Sequence, residues 1–408
     1  MLASGSKGAV VLNSSGEMKV EVENKGRAGN RLYSLDALRG FDMLLLLYGS
    51  TLAWSLSEVP WWPRWILTQF SHPWGVYTLF DVVQPLFAVV CGAAVPLALA
   101  RRLENGRAGR EYWRHVWGRF LLLLLLGAIC SGLLTLDLQK APYFGNTLQL
   151  LGFGYLFAAT CYAYIPRRLW LMVAAALVIL WGVALQCGGD MTPDGNLSAK
   201  IERLMTTGIV PGRKPGAITY TSWGTIPMFA ALTILGAYVI GWMRNEALTA
   251  VRRANGVLVA GGGLIAVGVA VHFVQPEIKH IYTPAYTLVS AGVSLVLLGG
   301  FSWLFDILAV RRGTWLLTLY GRNALSAYML WGFFGKHIQS AAAEILHGFE
   351  VFFVAEAYRP FVTMSGALFL STASTLSYGH APEAVTANNS NVTTATIEPY
   401  FIISYLSF

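Results

Sequence analysis

Long apolar runs alternate with short polar connections along most of this 408-residue chain. The runs are roughly 18–23 residues long, which is the length that a helix needs to cross the hydrocarbon core of a bilayer. About ten runs can be delimited, at 38–57, 77–99, 117–136, 147–165, 168–187, 222–243, 255–273, 284–305, 315–335 and 351–372. The pattern predicts an all-α fold, a polytopic membrane bundle of about ten transmembrane helices.

Three regions follow from where the apolar runs begin and end. Residues 1–30 are polar and lack the apolar segment of a cleaved signal, so we expect a flexible N-terminus on the cytoplasmic side. Residues 31–372 hold the predicted transmembrane domain, and residues 373–408 have a Ser, Thr, Asn and Ala content that predicts a poorly ordered polar tail. Within the domain, the turn-rich connection 188–221 is a candidate lid.

The composition agrees with this class, because 55% of the residues are hydrophobic and only 12% are charged. The net charge of +8 would also suit a protein that binds nucleic acid. However, the basic residues collect in alternate connections, as expected for the loops of a membrane protein that stay in the cytoplasm. We therefore expect the lipid bilayer and not nucleic acid as a partner. One such connection carries Arg101, Arg102, Arg107, Arg110, Arg114 and Arg119, which we interpret as determinants of topology.

The cysteines give no indication of a disulfide or a metal site. Cys91, Cys130 and Cys161 fall within predicted spans and Cys187 at the end of one, without the spacing of metal ligands. We expect these side chains to pack as small apolar groups, and we expect no metal.

Three charged residues stand at the start of the first predicted span, where a membrane is costly for charge. Asp36, Arg39 and Asp42 are spaced i, i+3 and i+6, so the first two can form an ion pair and Asp42 continues the same helix face. A helix-start ion pair that fixes the depth of the span explains them without a ligand. The alternative is a ligand contact, since Arg39 can bind a phosphate through two parallel hydrogen bonds.

His72 lies in the first outer connection, beside Trp62, Trp65 and Trp74. The tryptophans are explained by the aromatic belt of a membrane surface, and a solitary histidine there is more often a polar loop residue than a catalyst. Asp81 favours catalysis, because it lies one or two turns inside the second span and can hold one tautomer of an imidazole or pair with a substrate amine. His72 and Asp81 are therefore the candidate catalytic residues.

Polar side chains also fall inside two later spans. Gln149 lies at the start of the fourth span, among glycines whose simpler explanation is close helix packing. Arg322 and Asn323 fall within the ninth span, where a buried arginine needs an anionic partner such as a coenzyme phosphate, Asp36 or Asp42. These residues are candidate contacts for a ligand.

The order of these motifs along the chain forms a larger pattern. It begins with Arg31-Leu32-Tyr33-Ser34-Leu35-Asp36-Ala37-Leu38-Arg39-Gly40 and continues with His72, Trp74, Asp81 and Pro85-Leu86-Phe87. Later blocks are Leu148-Gln149 with Gly152, Gly224-Thr225-Ile226-Pro227, Tyr282-Thr283-Pro284 with Tyr286, and Gly321-Arg322-Asn323-Ala324-Leu325. Over residues 31–335 the chain resembles the bacterial relatives of heparan-α-glucosaminide N-acetyltransferase, and the first two blocks are the most specific.

The resemblance implies an integral membrane acyltransferase of the bacterial inner (plasma) membrane, which takes acetyl from cytosolic acetyl-CoA and delivers it to an amino sugar on the outer side. It implies that His72 is the catalytic histidine and that the coenzyme reaches it past Arg39 and Arg322. The large lumenal segment of the animal enzyme is absent, so we expect a small amino sugar or an envelope glycan as acceptor. A homodimer is an open alternative for the assembly.

One departure from the family concerns the outer end of the first helix. The animal enzyme has an asparagine there that is thought to assist the histidine, whereas this chain reads Leu47-Tyr48-Gly49-Ser50, and Ser50 is the candidate replacement. Acetyl transfer would use His72 as a general base or as a covalent acetyl carrier, and the pattern does not decide between them. Asn323, Gln149 or a tyrosine hydroxyl would supply donors for the oxyanion.

The alternative function is an amino-sugar transporter, a proton-coupled permease. A helical bundle with intramembrane Asp, Arg and His side chains can bind a sugar and couple its passage to protons. The His72 region has no counterpart in the second half of the chain, so an inverted repeat is not evident, which argues against transport.

Overall fold

The computed structural model describes residues 9–12, 18–21, 32–104, 107–133, 146–209 and 222–379. Within the segment expected to be flexible, β1 (Ala9–Leu12) and β2 (Met18–Glu21) pair as antiparallel strands. Their valines explain the pairing, because β-branched residues favour strands. The rest of 1–30 lies outside the described residues, as does the expected polar tail from residue 380 onward.

The described chain is otherwise almost entirely helical. Its helices are α1 (Tyr33–Leu44), α2 (Ser50–Trp54), α3 (Arg64–Gln69), α4 (Val83–Leu99), α5 (Arg110–Cys130), α6 (Thr147–Tyr164), α7 (Trp170–Gly188), α8 (Leu197–Ile209), α9 (Ile226–Met243), α10 (Ala250–His272), α11 (Pro284–Ser302), α12 (Trp315–Arg322), α13 (Ala324–Phe353) and α14 (Arg359–Gly379). A π-helical segment, Leu45–Gly49, joins α1 to α2. Two short strands, β3 (Leu103–Glu104) and β4 (Arg107–Ala108), connect α4 to α5.

Six helical segments of the described chain are long and apolar enough to cross a membrane. They are Leu79–Arg102, Arg110–Cys130, Arg167–Gly188, Trp223–Met243, Ala250–His272 and Pro284–Ile307. The helical fold agrees with the prediction, but the predicted count of about ten spans is not confirmed. The remaining predicted runs are more polar or are interrupted; the first, for example, contains Asp36, Arg39 and Asp42 within a few turns.

The ninth predicted span is broken near its middle. α12 ends at Arg322, and α13 begins directly after Asn323, whose backbone is not helical (φ −114°, ψ 27°). The side-chain amide of Asn323 donates to the carbonyl of Leu319 at 3.0 Å. Asparagine competes in this way with the helical hydrogen bonds of its own backbone. The ninth predicted run is therefore two helices that meet at Asn323 and not one continuous helix.

The last predicted span is also displaced. α13 continues to Phe353, well beyond its predicted end at 335, and α14 begins only at Arg359. Pro360 explains where α14 starts, because proline is tolerated in the first turn of a helix but not in its interior.

The candidate lid at 188–221 is partly helical. α8 occupies the middle of this connection, and residues 210–221 lie outside the described residues. Near its start, the carbonyl of Met191 accepts a hydrogen bond from Trp74 Nε1 at 3.1 Å. This bond attaches the connection to the segment that carries His72.

α4 lies at the centre of the bundle. It packs against α1, α6, α9 and α11. Of the 18 most apolar consecutive residues in its span, 78% are buried, whereas the corresponding share for α10 is 22%. Because its side chains face other helices on most sides, α4 is apolar around its whole circumference. It therefore provides a rigid support for side chains at either of its ends.

A close crossing of α1 and α12 explains two of the sequence motifs. A Cβ on Gly40 would lie 1.7 Å from the carbonyl oxygen of Leu317, and a Cβ on Gly321 would lie 1.8 Å from that of Asp36. Only glycine permits backbones to approach so closely. The glycines of the Arg39-Gly40 and Gly321-Arg322 motifs are thus explained by helix packing.

Candidate functional site

Thr78 and Asp81 fix the turn that leads into α4. The Thr78 N–H donates to Asp81 Oδ2 at 2.8 Å, and the Asp81 N–H donates to the Thr78 carbonyl at 3.1 Å. The Thr78 side chain also accepts from the Asp81 N–H, and this contact and the bond from the Thr78 N–H to Asp81 form a capping box, which satisfies backbone donors at a helix start. The Thr78 hydroxyl also donates to the carbonyl of Ser71 at 3.0 Å. The residue before His72 is thereby held next to the start of α4.

His72 and Asp81 are in direct contact. His72 Nδ1 lies 2.7 Å from Asp81 Oδ1, and the Asp81 side chain is only 1% exposed, compared with 16% for His72. Phe80 stacks on the imidazole with the ring centroids 5.4 Å apart. A carboxylate at this distance orients the ring and favours a proton on Nδ1. The structure therefore brings together the two residues that the sequence suggested as a catalytic pair.

Lys279 is the third member of this cluster, and the sequence did not identify it as one. Its Nζ lies 3.1 Å from Asp81 Oδ1, 3.0 Å from His72 Nδ1 and 3.3 Å from His72 Nε2. The side chain is only 6% exposed. Burial lowers the pKa of Lys279 to about 8, although the neighbouring Asp81 carboxylate acts in the opposite direction.

The charges of the cluster suit proton transfer. Asp81 compensates the Lys279 ammonium in this low-dielectric site. With the Nδ1 proton donated to Asp81, the Nε2 lone pair is able to accept a proton. The Lys279 ammonium lies within reach of the same imidazole, so the arrangement offers a base and an acid side by side.

Two tyrosines support the cluster, one just before α11 and one within it. The Tyr286 hydroxyl donates to the backbone carbonyl of Asp81 at 2.7 Å, and the Tyr282 hydroxyl donates to Gln84 Oε1 at 3.2 Å. Tyr282 is fully buried and has a left-handed backbone (φ 48°), which is unusual for a residue other than glycine. Such strain persists only where the surroundings impose it. Here the left-handed residue ends the short turn that places Lys279 beside Asp81.

Trp74 and His280 form the rim of the cluster. Their rings stack with the centroids 4.9 Å apart. Burial, together with the charges of Lys279 and His72, lowers the pKa of His280 to about 4. His280 is therefore neutral at physiological pH and contributes packing and polarity to the site without adding charge.

The charged residues at the start of α1 lie elsewhere in the bundle. Arg39 and Asp36 form the predicted pair, with Nη1 and Oδ1 3.8 Å apart, and both side chains are buried. Asp42 is completely buried, and neither of its carboxylate oxygens has a hydrogen-bond partner among the described residues. An ionised carboxylate without partners is very costly in such a place, so Asp42 is held as a neutral acid.

The other candidate contacts do not gather around His72. Arg322 is exposed, so the expectation of a buried arginine at this position is wrong. The side chain of Asn323 is hydrogen-bonded to the Leu319 carbonyl at the end of α12. Gln149 donates to the Leu124 carbonyl at 3.3 Å and accepts from the Asn146 N–H at 3.1 Å. Those bonds make Gln149 part of the N-terminal cap of α6.

Ser50 is half-buried at the first residue of α2. Within the described part of the chain no hydrogen bond joins it to His72. The asparagine-like role that the sequence assigned to it stays a prediction, and Lys279 occupies the place of a second polar group at the imidazole.

A separate cavity of about 640 Å³ lies between α7, α9, α10 and α11. Its walls are almost entirely aliphatic, with Gln186, Gln275 and Thr287 as polar exceptions. His72, Asp81 and Lys279 are not among its lining residues. The cavity is thus distinct from the charged cluster.

Comparison with known proteins does not assign the chain to a family. No family model matches it, and no curated protein matches it significantly. The geometry of the cluster and the motifs of the chain are therefore what indicate the function.

Proposed function

We propose that the protein is an integral membrane acyltransferase that moves an acetyl group from cytosolic acetyl-CoA to an amino sugar on the other side of the membrane. The observation that carries this proposal is the contact of His72 with Asp81 and Lys279. It combines an oriented imidazole, a carboxylate and a lysine of lowered pKa at the end of a buried helix. General acid–base catalysis requires groups of this kind.

In the proposed reaction, His72 Nε2 accepts a proton from the sugar amine while the amine nitrogen attacks the thioester carbon. The new C–N bond forms, the C–S bond breaks, and the thiolate of the coenzyme leaves and takes up the proton that the His72 imidazolium gives back. Asp81 stabilises the imidazolium that forms, as a carboxylate does in other histidine-centred sites. A covalent acetyl-imidazole is the other route, in which His72 itself attacks the thioester.

Lys279 is the candidate for stabilising the tetrahedral intermediate. Its ammonium is buried, so the charge that it presents to a developing oxyanion is weakly screened. It replaces Gln149 and Asn323 in this role, since the hydrogen bonds of those amides are structural. The role of Lys279 also explains why a lysine, and not an apolar residue, occupies this position.

The proposed sidedness follows from the positive-inside pattern of the sequence, with a cytoplasmic N-terminus in a bacterial inner membrane. The acceptor would be a small amino sugar or an envelope glycan that approaches His72 between Trp74 and the connection at 188–221. Trp74 is half-buried at the rim, and a sugar ring would pack on the face of its indole that does not stack on His280.

A transfer assay with a matched histidine control tests this function. Purified protein in proteoliposomes is given labelled acetyl-CoA and glucosamine, and labelled N-acetylglucosamine is measured for the wild type, His72→Ala and His272→Ala. His272 also pairs with a carboxylate, Glu277, at 2.5 Å, but it is exposed. We expect His72→Ala to lower the rate by at least about 100-fold and His272→Ala to leave it unchanged.

Undiminished transfer by His72→Ala would remove the basis of the catalytic assignment. The same assay distinguishes the acyltransferase from the second candidate, a proton-coupled amino-sugar transporter. The observation that favours a transporter is Asp42, an acidic side chain buried inside the bundle. A transporter would accumulate unmodified glucosamine, and Asp42→Asn would abolish that accumulation. An acyltransferase would release acetylated sugar and would tolerate Asp42→Asn.

A further inference from the structure

The cavity between α7, α9, α10 and α11 has the shape of a long groove with one polar end. Its lining residues on α7 run from Leu171 to Gln186, which is about 22 Å along the helix axis. Gln275 Nε2 donates to Gln186 Oε1 at 3.1 Å, and both side chains lie at the same end of the groove. Toward Leu171 the wall is aliphatic. We call this cavity the apolar groove.

The apolar groove opens on the outside of the bundle. α7 packs on α9, and α10 packs on α11, whereas in the described chain α7 and α10 make hardly any contact with each other. Lining side chains at the edges of the opening are exposed, among them Ile179, Val183 and Val267. Both helices belong to segments that are long and apolar enough to cross a membrane. The opening therefore faces the hydrocarbon of the bilayer.

The wall of the apolar groove suits a hydrocarbon chain. Small side chains line it on three helices, Ala174 and Ala175 on α7, Ala231 on α9 and Ala291 on α11, and they leave a volume of about 640 Å³. Apolar walls do not hold ordered water, because water needs polar partners, and a hydrocarbon chain gains free energy by filling such a space. The polar headgroup of a bound lipid would lie at the end with the two glutamines, because only this end offers it hydrogen bonds.

The polar end of the apolar groove adjoins the cluster of His72, Asp81 and Lys279. Gln275 precedes Lys279 by four residues, so their Cα atoms are at most about 14 Å apart. Trp181 Nε1 on α7 donates to the carbonyl of Ile281 at 3.0 Å, which holds the wall of the groove against the turn that carries Lys279. A headgroup the size of a sugar that leaves the groove at this end therefore comes within reach of His72.

We propose that the apolar groove binds the hydrocarbon chain of the acceptor, a membrane lipid whose headgroup carries the amino sugar. The identification of this lipid as the acceptor rests on the proposed acetyl transfer. The sugar amine meets His72 across the turn that carries Lys279; its nitrogen gains the acetyl group and loses one proton, and the coenzyme leaves as the thiol. The chain in the groove holds the acceptor in place from within the bilayer.

Two acceptors of different chain length test the proposal on the full-length protein in nanodiscs. Acetyl-CoA is supplied with methyl or hexadecyl glucosaminide, and the readout is the ratio of the two kcat/KM values. Ala175→Phe places a ring in the groove about 16 Å along α7 from Gln186. Ala176→Phe is the matched control, because Ala176 is exposed and does not line the groove. Partitioning of the long acceptor into the bilayer is the same for both variants.

We expect Ala175→Phe to lower the preference for the hexadecyl acceptor by at least about tenfold, because displacing even two buried methylene groups has this effect. Ala176→Phe should keep the wild-type preference. If Ala175→Phe does not fold, Val267→Phe on α10 replaces it. Its control is Val269→Phe, since Val269 is also exposed but does not line the groove.

Photo-crosslinking provides a readout that does not require transfer. The probe is hexadecyl glucosaminide with a diazirine in its chain, and the labelled residues are mapped by mass spectrometry. In the wild type and in His72→Ala we expect labelling of the groove walls on α7 and α10 that an excess of unlabelled hexadecyl glucosaminide displaces. The displaceable labelling should be at least about tenfold weaker in Ala175→Phe and unchanged in Ala176→Phe.

The outcomes separate this proposal from the proposed function. Displaceable labelling of the groove without any acetyl transfer supports the lipid site and contradicts the acyltransferase. Labelling that hexadecyl phosphocholine displaces equally well identifies ordinary bilayer lipid as the occupant and overturns the assignment of the acceptor. An unchanged acceptor preference in Ala175→Phe, or equal labelling of the two alanine variants, overturns the proposal.

Discussion

At the scale of single residues, one carboxylate serves two partners. Asp81 is fixed by its capping box and accepts from His72 and Lys279 at 2.7 and 3.1 Å. Removing a buried partner of a charge leaves that charge uncompensated, which is generally more damaging than the pair itself is stabilising. The chemistry and the stability of the site therefore depend on the same side chain.

A double substitution separates these two contributions. We expect Asp81→Asn to destabilise the protein by about 3 kcal/mol, because the Lys279 ammonium is left buried without its counter-charge. Adding Lys279→Met should restore much of the stability, since it removes the orphaned charge, but should not restore activity. Thermal unfolding of the two single variants and the double variant measures the coupling. Strictly additive losses would show that the Lys279 charge is not compensated by Asp81.

The titration of Lys279 predicts opposite pH trends for stability and activity. Its pKa is 10.5 in an unfolded chain and about 8 in the folded protein. Below pH 8 both states are protonated. Between about pH 8 and 10.5 the unfolded state binds more protons, so this lysine makes the free energy of unfolding rise with pH. Activity should fall over the same range as the ammonium is lost.

Lys279→Met is the control for both trends. The variant should lack the rise in the unfolding midpoint above pH 8, and its residual transfer rate should lack the alkaline decrease. His280 is the neighbour of Lys279 in the chain, but its pKa of about 4 lies far below this range. An unchanged alkaline decrease in Lys279→Met would assign it to another group.

At the scale of elements, short segments at helix ends place the chemistry. The capping box before α4 and the left-handed Tyr282 before α11 bring His72 and Lys279 together. The sequence indicates Asp81 as a functional residue, because a carboxylate stands near the start of an apolar run. It does not indicate Lys279, because 207 residues separate this lysine from His72 and only tertiary packing brings the two together. A lysine next to a tyrosine-rich helix start was the one available signal.

The crossing of α1 and α12 provides a prediction at this scale. Gly40→Ala should destabilise the protein by about 1–3 kcal/mol, because the added methyl would overlap the Leu317 carbonyl and separate the helices. Gly300→Ala is the matched control, since nothing lies within 4 Å of its added Cβ, and helix propensity alone favours alanine by about 1 kcal/mol. Equal unfolding midpoints for the two variants would contradict the close crossing.

At the scale of the whole molecule, apolar runs predict the buried helices best. The run at 222–243 corresponds to Trp223–Met243, and the run at 284–305 to Pro284–Ile307. Hydropathy fails where polar residues stop or shift a helix, as at Asn323, because single side chains decide these boundaries. It also cannot show that Arg119 turns inward while Arg114 faces outward. The class of fold was thus accessible from the sequence, whereas the composition of its charged clusters was not.

The charged side chains lie in two separate parts of the molecule. His72, Asp81 and Lys279 meet at the start of α4, whereas Asp36 and Arg39 pair near the start of α1. In the proposed acetyl transfer, the acceptor amine meets His72 on the outer side and the coenzyme enters from the side of the N-terminus. The central claim is that the reaction takes place across the membrane.

Oriented proteoliposomes test that claim most directly. Labelled acetyl-CoA is enclosed on the side of the N-terminus, glucosamine is supplied on the His72 side, and the product is measured in each compartment. The account predicts labelled N-acetylglucosamine on the His72 side only, with none formed by His72→Ala. Product that forms only when both substrates share one compartment, or unmodified glucosamine that accumulates inside, would contradict it.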